Sequence, residues 1–135
     1  MKEEVDQMKL LLVMLGGFFG AVCRYSLGEW LYSDNGFPLG TLFVNLLGCL
    51  ALGWFLTFMS QNKTIKPEWT YLIGTGFIGS FTTFSTFTVE SISLFQTGSI
   101  LLALLYITTS TIAGLLLAYS GHRLALSRKK EGEPI

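Results

Sequence analysis

Residues 39–59 read LGTLFVNLLGCLALGWFLTFM, 21 positions without one charged side chain. A helix needs about 20 apolar residues to cross the hydrocarbon core of a bilayer, so this stretch is expected to span a membrane. Working outward, Ser99 to Ser120 is a second uncharged run, of 22 residues. Two further apolar segments, about 8–32 and 69–95, carry isolated ionisable residues: Lys9, Arg24 and Glu29 in the first and Glu90 in the second. The expected architecture is an all-α membrane protein of four transmembrane helices, over 8–32, 39–59, 69–95 and 99–120. Short connectors hold turn-forming residues, Asp34-Asn35-Gly36 in one and Gln96-Thr97-Gly98 in another. Residues 1–135 are thus expected to form a single integral membrane domain, with 121–135 as a basic C-terminal tail.

Composition agrees. Of 135 residues, 50% are hydrophobic and 13% are charged, against about 25% charged in typical soluble domains. Nine basic residues balance nine acidic ones, which removes the usual electrostatic argument for a nucleic-acid partner. Cys23 and Cys49 lie inside apolar stretches without a CxxC pair, and both are read as packing residues. The first segment is expected to be retained and not cleaved as a secretory signal: its apolar stretch is too long, its leader is mixed in charge, and no small-x-small cleavage site follows. Trp30, Tyr32, Trp69 and Tyr119 fall near segment ends, as interfacial anchors do.

Orientation follows from Lys and Arg alone. The N-terminus, second connector and C-terminus share one side and hold Lys2, Lys9, Lys63, Lys66, Arg123, Arg128, Lys129 and Lys130; the opposite connectors hold none. The positive-inside rule places that side in the cytoplasm. Arg128 to Lys130 also form a patch suited to lipid headgroups, although orientation alone explains it.

The third segment is unlike an ordinary span. It reads Gly74-Thr75-Gly76-Phe77-Ile78-Gly79-Ser80-Phe81-Thr82-Thr83-Phe84-Ser85-Thr86-Phe87-Thr88-Val89-Glu90. Gly74, Gly76 and Gly79 satisfy GxGxxG, but that fingerprint needs a strand and a βαβ unit, which a membrane span cannot supply. Glycines followed by a hydroxyl-rich run instead point to a helix broken near the membrane midplane, where freed carbonyls offer a cation site. Phe77, Phe81, Phe84 and Phe87 recur at helical spacing as one stripe, interleaved with Ser80, Thr83, Ser85 and Thr86. Ring edges carry the positive end of the aromatic quadrupole and can face a small anion. Thr41, Asn45 and Gly48 share a face of the second segment, and Tyr106, Ser110 and Gly114 share one of the fourth. These residues point to a polar pathway, with interhelical hydrogen bonding by Asn45 as the alternative. Gly16 and Gly20 are read as a close-packing GxxxG pair.

Three motifs carry a resemblance: Gly20-Ala21-x-x-Arg24-Tyr25, Gly40-Thr41-Leu42-x-Val44-Asn45-x-x-Gly48, and the run from Gly76 through Phe87. Together they resemble the Fluc (CrcB) fluoride channels, small four-span bacterial membrane proteins. The resemblance implies an antiparallel, dual-topology dimer with two fluoride pores around a buried sodium ion that is not transported. It places the sodium ligands at the backbone carbonyls of Gly79 and Thr82. It places Phe84 and Phe87 as a pore-lining pair, Asn45 as a donor near the fluoride path, and Thr41, Ser110 and Glu90 along a polar track. Tyr106, Ser85 and Thr86 join the candidate path on the residue reading, and Arg24 resembles a vestibule arginine. The implied function is passive fluoride export across the bacterial cytoplasmic membrane, which limits toxicity.

The charge bias bears on the partner. Inserting one sequence in both orientations calls for nearly balanced Lys and Arg, whereas here the count is eight to none. Either the chain pairs with itself, or it pairs with a related, oppositely oriented chain; the bias favours the second. Competing functions fare less well. A small multidrug transporter needs a glutamate midway along its first helix, and Glu29 lies near the end. An enzyme needs a nucleophile with a base, and the lone His122 has no triad partners. A non-conducting structural membrane protein is the remaining alternative.

Overall fold

The computed structural model describes residues 2–32, 36–62 and 64–130, the side chains of 2, 3 and 128–130 excepted. Asp34, Asn35, Lys63 and the side chains of the Arg128 to Lys130 patch lie outside the described residues. The secondary structure of the described residues is helical, with α1 over Lys2–Trp30 and α2 over Leu39–Gln61. A π-wound segment over Thr70–Ile78 runs into a single α turn, α3, at Gly79–Phe81. After it come α4 at Phe84–Gln96 and α5 at Ile100–Lys130.

Among the described residues, four helical stretches are long and apolar enough to cross a membrane: Glu4–Trp30, Leu39–Gln61, Thr70–Gln96 and Ile100–Ser127. At 1.5 Å per residue, α5 is about 46 Å long, more than the roughly 30 Å hydrocarbon core. It therefore reaches well past Ser120, so residues 121–130 continue the helix instead of beginning a tail. The protein is inside out relative to a soluble bundle. Leu101, Leu115 and Phe18 are exposed, as lipid-facing side chains are, while Tyr106 and Val44 are the largest fully buried ones.

Packing divides the helices into two tight pairs, α2 with α5 and α1 with the π-wound segment. Glycines set both approaches. A Cβ on Gly16 would overlap the Leu72 carbonyl oxygen, and one on Gly20 would overlap that of Phe77. Gly53 and Gly121 sit likewise against the Ala118 and Leu50 carbonyls, where α2 crosses α5. Such backbone-to-backbone contact suits helices in lipid, where association rests on van der Waals packing.

The third span is interrupted at Thr82 and Thr83, whose backbones are extended (φ −78°, ψ 158° and φ −146°, ψ 124°). The break falls in the hydroxyl-rich run, directly after the glycines; Gly74, Gly76 and Gly79 are themselves helical, in and just after the π-wound turns, where the Gly79 N–H donates to the Gly74 carbonyl five residues back. One expectation changes here: the four phenylalanines do not form one stripe. Phe77 stacks on Phe81 at 5.9 Å on one side of the interruption, and Phe84 meets Phe87 at 5.9 Å on the other. The extended pair resets the helical phase, so Phe81 is buried and Phe84 is 79% exposed.

Candidate functional site

The interruption is held from α2. Asn45 Nδ2 donates to the Thr83 carbonyl at 2.9 Å, and the Thr83 N–H donates to Asn45 Oδ1 at 2.8 Å. A side-chain amide presents a donor and an acceptor side by side, so it pairs with the N–H and C=O of one residue as a neighbouring strand would. That arrangement satisfies two main-chain groups which, unpaired at membrane depth, would each cost several kcal/mol. The restart of the helix is capped locally: Thr83 Oγ1 accepts from the Thr86 N–H at 3.2 Å and lies 3.0 Å from Thr86 Oγ1 and 3.3 Å from Ser85 Oγ. A threonine N-cap of this kind favours helix initiation.

These bonds have a consequence for two carbonyls. In a continuous helix the Thr83 N–H would bond the Gly79 carbonyl, and the Thr86 N–H would bond that of Thr82. Here Asn45 takes the first donor and Thr83 Oγ1 the second. Gly79 and Thr82, the positions singled out for sodium, are thus the ones whose helical donors are diverted. Carbonyl oxygens suit a hard cation such as sodium. Among the described residues no cluster of His, Cys, Asp or Glu offers a conventional metal site.

Beside the joint lies a cavity of about 350 Å³, lined by Asn45, Cys49, Thr82, Thr83, Phe84, Phe87 and Ser110 among others, and by no charged residue. The Ser110 hydroxyl is buried without a hydrogen-bond partner among the described residues. Asn45 spends one amide hydrogen on Thr83 and keeps the other. Two unspent donors and the Phe84 and Phe87 rings therefore border one uncharged cavity. Cys49, assigned to packing on sequence, also borders it; nothing in the spacing of a lone apolar-segment cysteine marks that position.

One turn further along α4 is a second polar centre. Thr41 Oγ1 donates to Glu90 Oε1 at 2.7 Å, and the Tyr106 hydroxyl donates to Glu90 Oε2 at 2.8 Å. Three helices thereby meet at one carboxylate. Tyr106 is fully buried; its ring meets Phe87 at 5.1 Å and, edge to face, Phe37 at 5.6 Å. Phe87 therefore touches both centres. Phe37, just before Pro38 and outside the spans, was not among the sequence candidates; its only signal is an aromatic residue beside the start of α2.

The remaining candidates are more dispersed. Ser85 and Thr86 are exposed on the first turn of α4, tied to Thr83. Arg24 is half-buried on α1 and makes no hydrogen bond or ion pair among the described residues. His122 is engaged on α5, its Nδ1 2.7 Å from Thr57 Oγ1.

Residues 11–122 match the family model described as CrcB-like protein, Camphor Resistance (CrcB). The chain is 53% identical over 122 residues to a protein of Oceanobacillus iheyensis named fluoride-specific ion channel FluC, covering 90% of this chain and 95% of that one. It is 42% identical over 112 residues to fluoride-specific ion channel FluC 1 of Desulfitobacterium hafniense, covering 83% and 98%. A FluC of Acidobacterium capsulatum is 42% identical over 116 residues, covering 84% and 93%. Four apolar spans, an interrupted third span bound to Asn45, and matches over nearly the full length agree: the chain belongs to the CrcB family.

Proposed function

We propose that this protein is a fluoride-specific channel of the bacterial cytoplasmic membrane that lets fluoride run passively down its gradient. The observation that carries the reading is the uncharged cavity where Asn45, Ser110, Phe84 and Phe87 meet. An anion leaving water for a low-dielectric interior needs replacement donors, since the idealised transfer penalty is on the order of 20 kcal/mol. Amide N–H, hydroxyl and ring-edge groups supply partial positive charge without the full charge of Lys or Arg, which would hold the ion too tightly to conduct.

From the cavity the path continues past Phe87 to the Glu90 centre. A carboxylate and a fluoride ion are both acceptors, so an arriving fluoride competes with Glu90 for the Thr41 and Tyr106 hydroxyls. The two hydroxyls pass from one acceptor to the other and back as the ion moves on. Arg24 serves as a vestibule cation that draws fluoride toward the protein. Ser85 and Thr86, exposed beside the Thr83 joint, offer further hydroxyls along the route.

A sodium ion is proposed as a structural element, held by the Gly79 and Thr82 carbonyls; the diversion of their helical donors supports this. The ion would supply fixed positive charge at the interruption and tie two chains together. An antiparallel dimer with two pores is the proposed assembly. It is supported by the exposure of Phe84, Ser85 and Thr86 at membrane depth, where hydroxyls facing lipid are unfavourable. The one-sided Lys and Arg count favours a related, oppositely oriented chain as the partner.

Fluoride efflux from proteoliposomes tests the reading. The wild-type assembly is expected to release fluoride rapidly, and Asn45→Asp, which places a carboxylate beside the cavity, to abolish release. Equal efflux from both would contradict the assignment of the cavity. Purified chain that conducts alone would overturn the obligate two-chain partner.

A further inference from the structure

Glu90 lines two cavities that also take in residues of the α1–α2 and α4–α5 connectors, which lie on one membrane face. The first, about 400 Å³, is lined by Gly28, Glu29, Tyr32, Thr41 and Glu90 among others. The second, about 380 Å³, is lined by Glu90, Ser93, Thr97, Ser99 and Leu102 among others. Gly36 and Pro38 border both, so the connector leading into α2 parts them. An ion leaving the Glu90 centre toward this face therefore has two mouths available.

Their chemistry differs. The first mouth adds the exposed Glu29 carboxylate to that of Glu90, whereas the second adds no charged residue among the described residues. A fixed like charge in a narrow mouth lowers the local concentration of an anion, and an uncharged one does not. The second mouth also offers hydroxyl donors. Thr97 Oγ1 is committed to the Ser93 and Leu94 carbonyls at 3.0 and 3.2 Å, but the Ser93 and Ser99 hydroxyls bond no partner among the described residues. A free hydroxyl can hand a proton donor to fluoride as water is shed or regained.

We propose that fluoride passes between Glu90 and bulk water through the Ser93–Ser99 mouth between α4 and α5, and that the Glu29 cavity is not a conducting route. The proposal rests on the fluoride-channel reading and adds to it the outer mouth and its two donors. Ser93 and Ser99 are specificity elements there: they pass a small, strongly hydrogen-bonding anion and disfavour large, weakly bonding ones.

The test is fluoride efflux from liposomes carrying the assembly purified through a tag on this chain, for wild type, Ser93→Asp, Glu29→Gln and Glu29→Lys. Wild-type efflux establishes the channel reading on its own, and its absence would overturn both. With efflux present, Ser93→Asp is expected to slow fluoride at least about two-fold at low ionic strength, with the effect shrinking as an impermeant salt is added, because a fixed charge is screened. Both Glu29 variants are expected to leave the rate unchanged. Faster efflux in Glu29→Lys, or an unaffected Ser93→Asp, would overturn the proposal. Because Ser93→Asp could fail to fold, Ser93→Cys is reconstituted first and then treated with an anionic or a cationic thiosulfonate, with wild type treated in parallel to account for Cys23 and Cys49. Slowing by the anionic reagent beyond the cationic one supports the Ser93–Ser99 mouth, and equal rates overturn it.

Discussion

Asn45 on α2 and Thr83 in the interrupted third span, 38 positions apart, are joined by two hydrogen bonds that run in opposite directions, at 2.9 and 2.8 Å. The pair does two jobs with one side chain. It satisfies the N–H and C=O of an extended residue at membrane depth, and it takes the N–H that the Gly79 carbonyl would otherwise receive.

Asn45→Leu removes both bonds. Each main-chain group left unpaired at membrane depth is expected to cost several kcal/mol, so the variant should unfold at a clearly lower temperature in detergent than wild type. Asn45→Asp keeps an acceptor for the Thr83 N–H but turns a carboxylate oxygen toward the Thr83 carbonyl, so it too should melt below wild type. In the fraction that elutes intact by size-exclusion chromatography, fluoride flux should be lost. Unchanged melting of Asn45→Leu would show that the joint does not depend on this residue.

Tyr106→Phe leaves the ring contacts with Phe37 and Phe87 and strips one donor from Glu90; Thr41→Val strips the other. Both act on one carboxylate, so their effects on fluoride flux should be coupled by more than about 0.5 kcal/mol, beyond the additivity expected of independent sites. A double-mutant cycle of efflux rates measures this, and strict additivity would separate the two hydroxyls.

Gly16→Ala and Gly20→Ala push a methyl group into the Leu72 and Phe77 carbonyls. Overpacking of this kind typically costs about 1–3 kcal/mol, read as a lower melting temperature. Gly28→Ala on the same helix meets open space and is expected to melt like wild type.

Sodium linkage is testable without flux. Exchange of all sodium for a bulky organic cation during solubilisation should lower the melting temperature or dissociate the assembly, and restored sodium should reverse it. A ligand at 100 times its dissociation constant stabilises by about 2.7 kcal/mol. Melting that is indifferent to sodium would remove the ion from the Gly79 and Thr82 carbonyls.

Much of this was legible in the sequence because lipid imposes simple rules. Uncharged runs at 39–59 and 99–120 could only be spans, and Asn45 and Glu90 stood out because polar groups are rare there. Where the third span is interrupted was not legible. The glycines and the hydroxyl run after them marked only a region, since glycine merely permits a departure from α geometry, whereas Asn45, far off in sequence, supplies the bonds that fix it at Thr82 and Thr83. The same long-range contact dissolved the phenylalanine stripe, since helical spacing holds only within one unbroken helix. The Thr41, Glu90 and Tyr106 cluster was visible as three candidates but not as one centre, because no periodicity relates three helices. The end of α5 was missed for a plainer reason: Arg123 and its neighbours mark the membrane boundary, and a helix need not stop there.

The decisive measurement is the efflux of fluoride against chloride from liposomes carrying the assembly purified through this chain, for wild type and for Phe87→Ile. Wild type is expected to pass fluoride over chloride by roughly 100-fold or more, about 2.7 kcal/mol of discrimination, and Phe87→Ile to lose fluoride flux while remaining folded. Chloride released as readily as fluoride, or a Phe87→Ile assembly that conducts like wild type, would contradict an uncharged, ring-lined fluoride path.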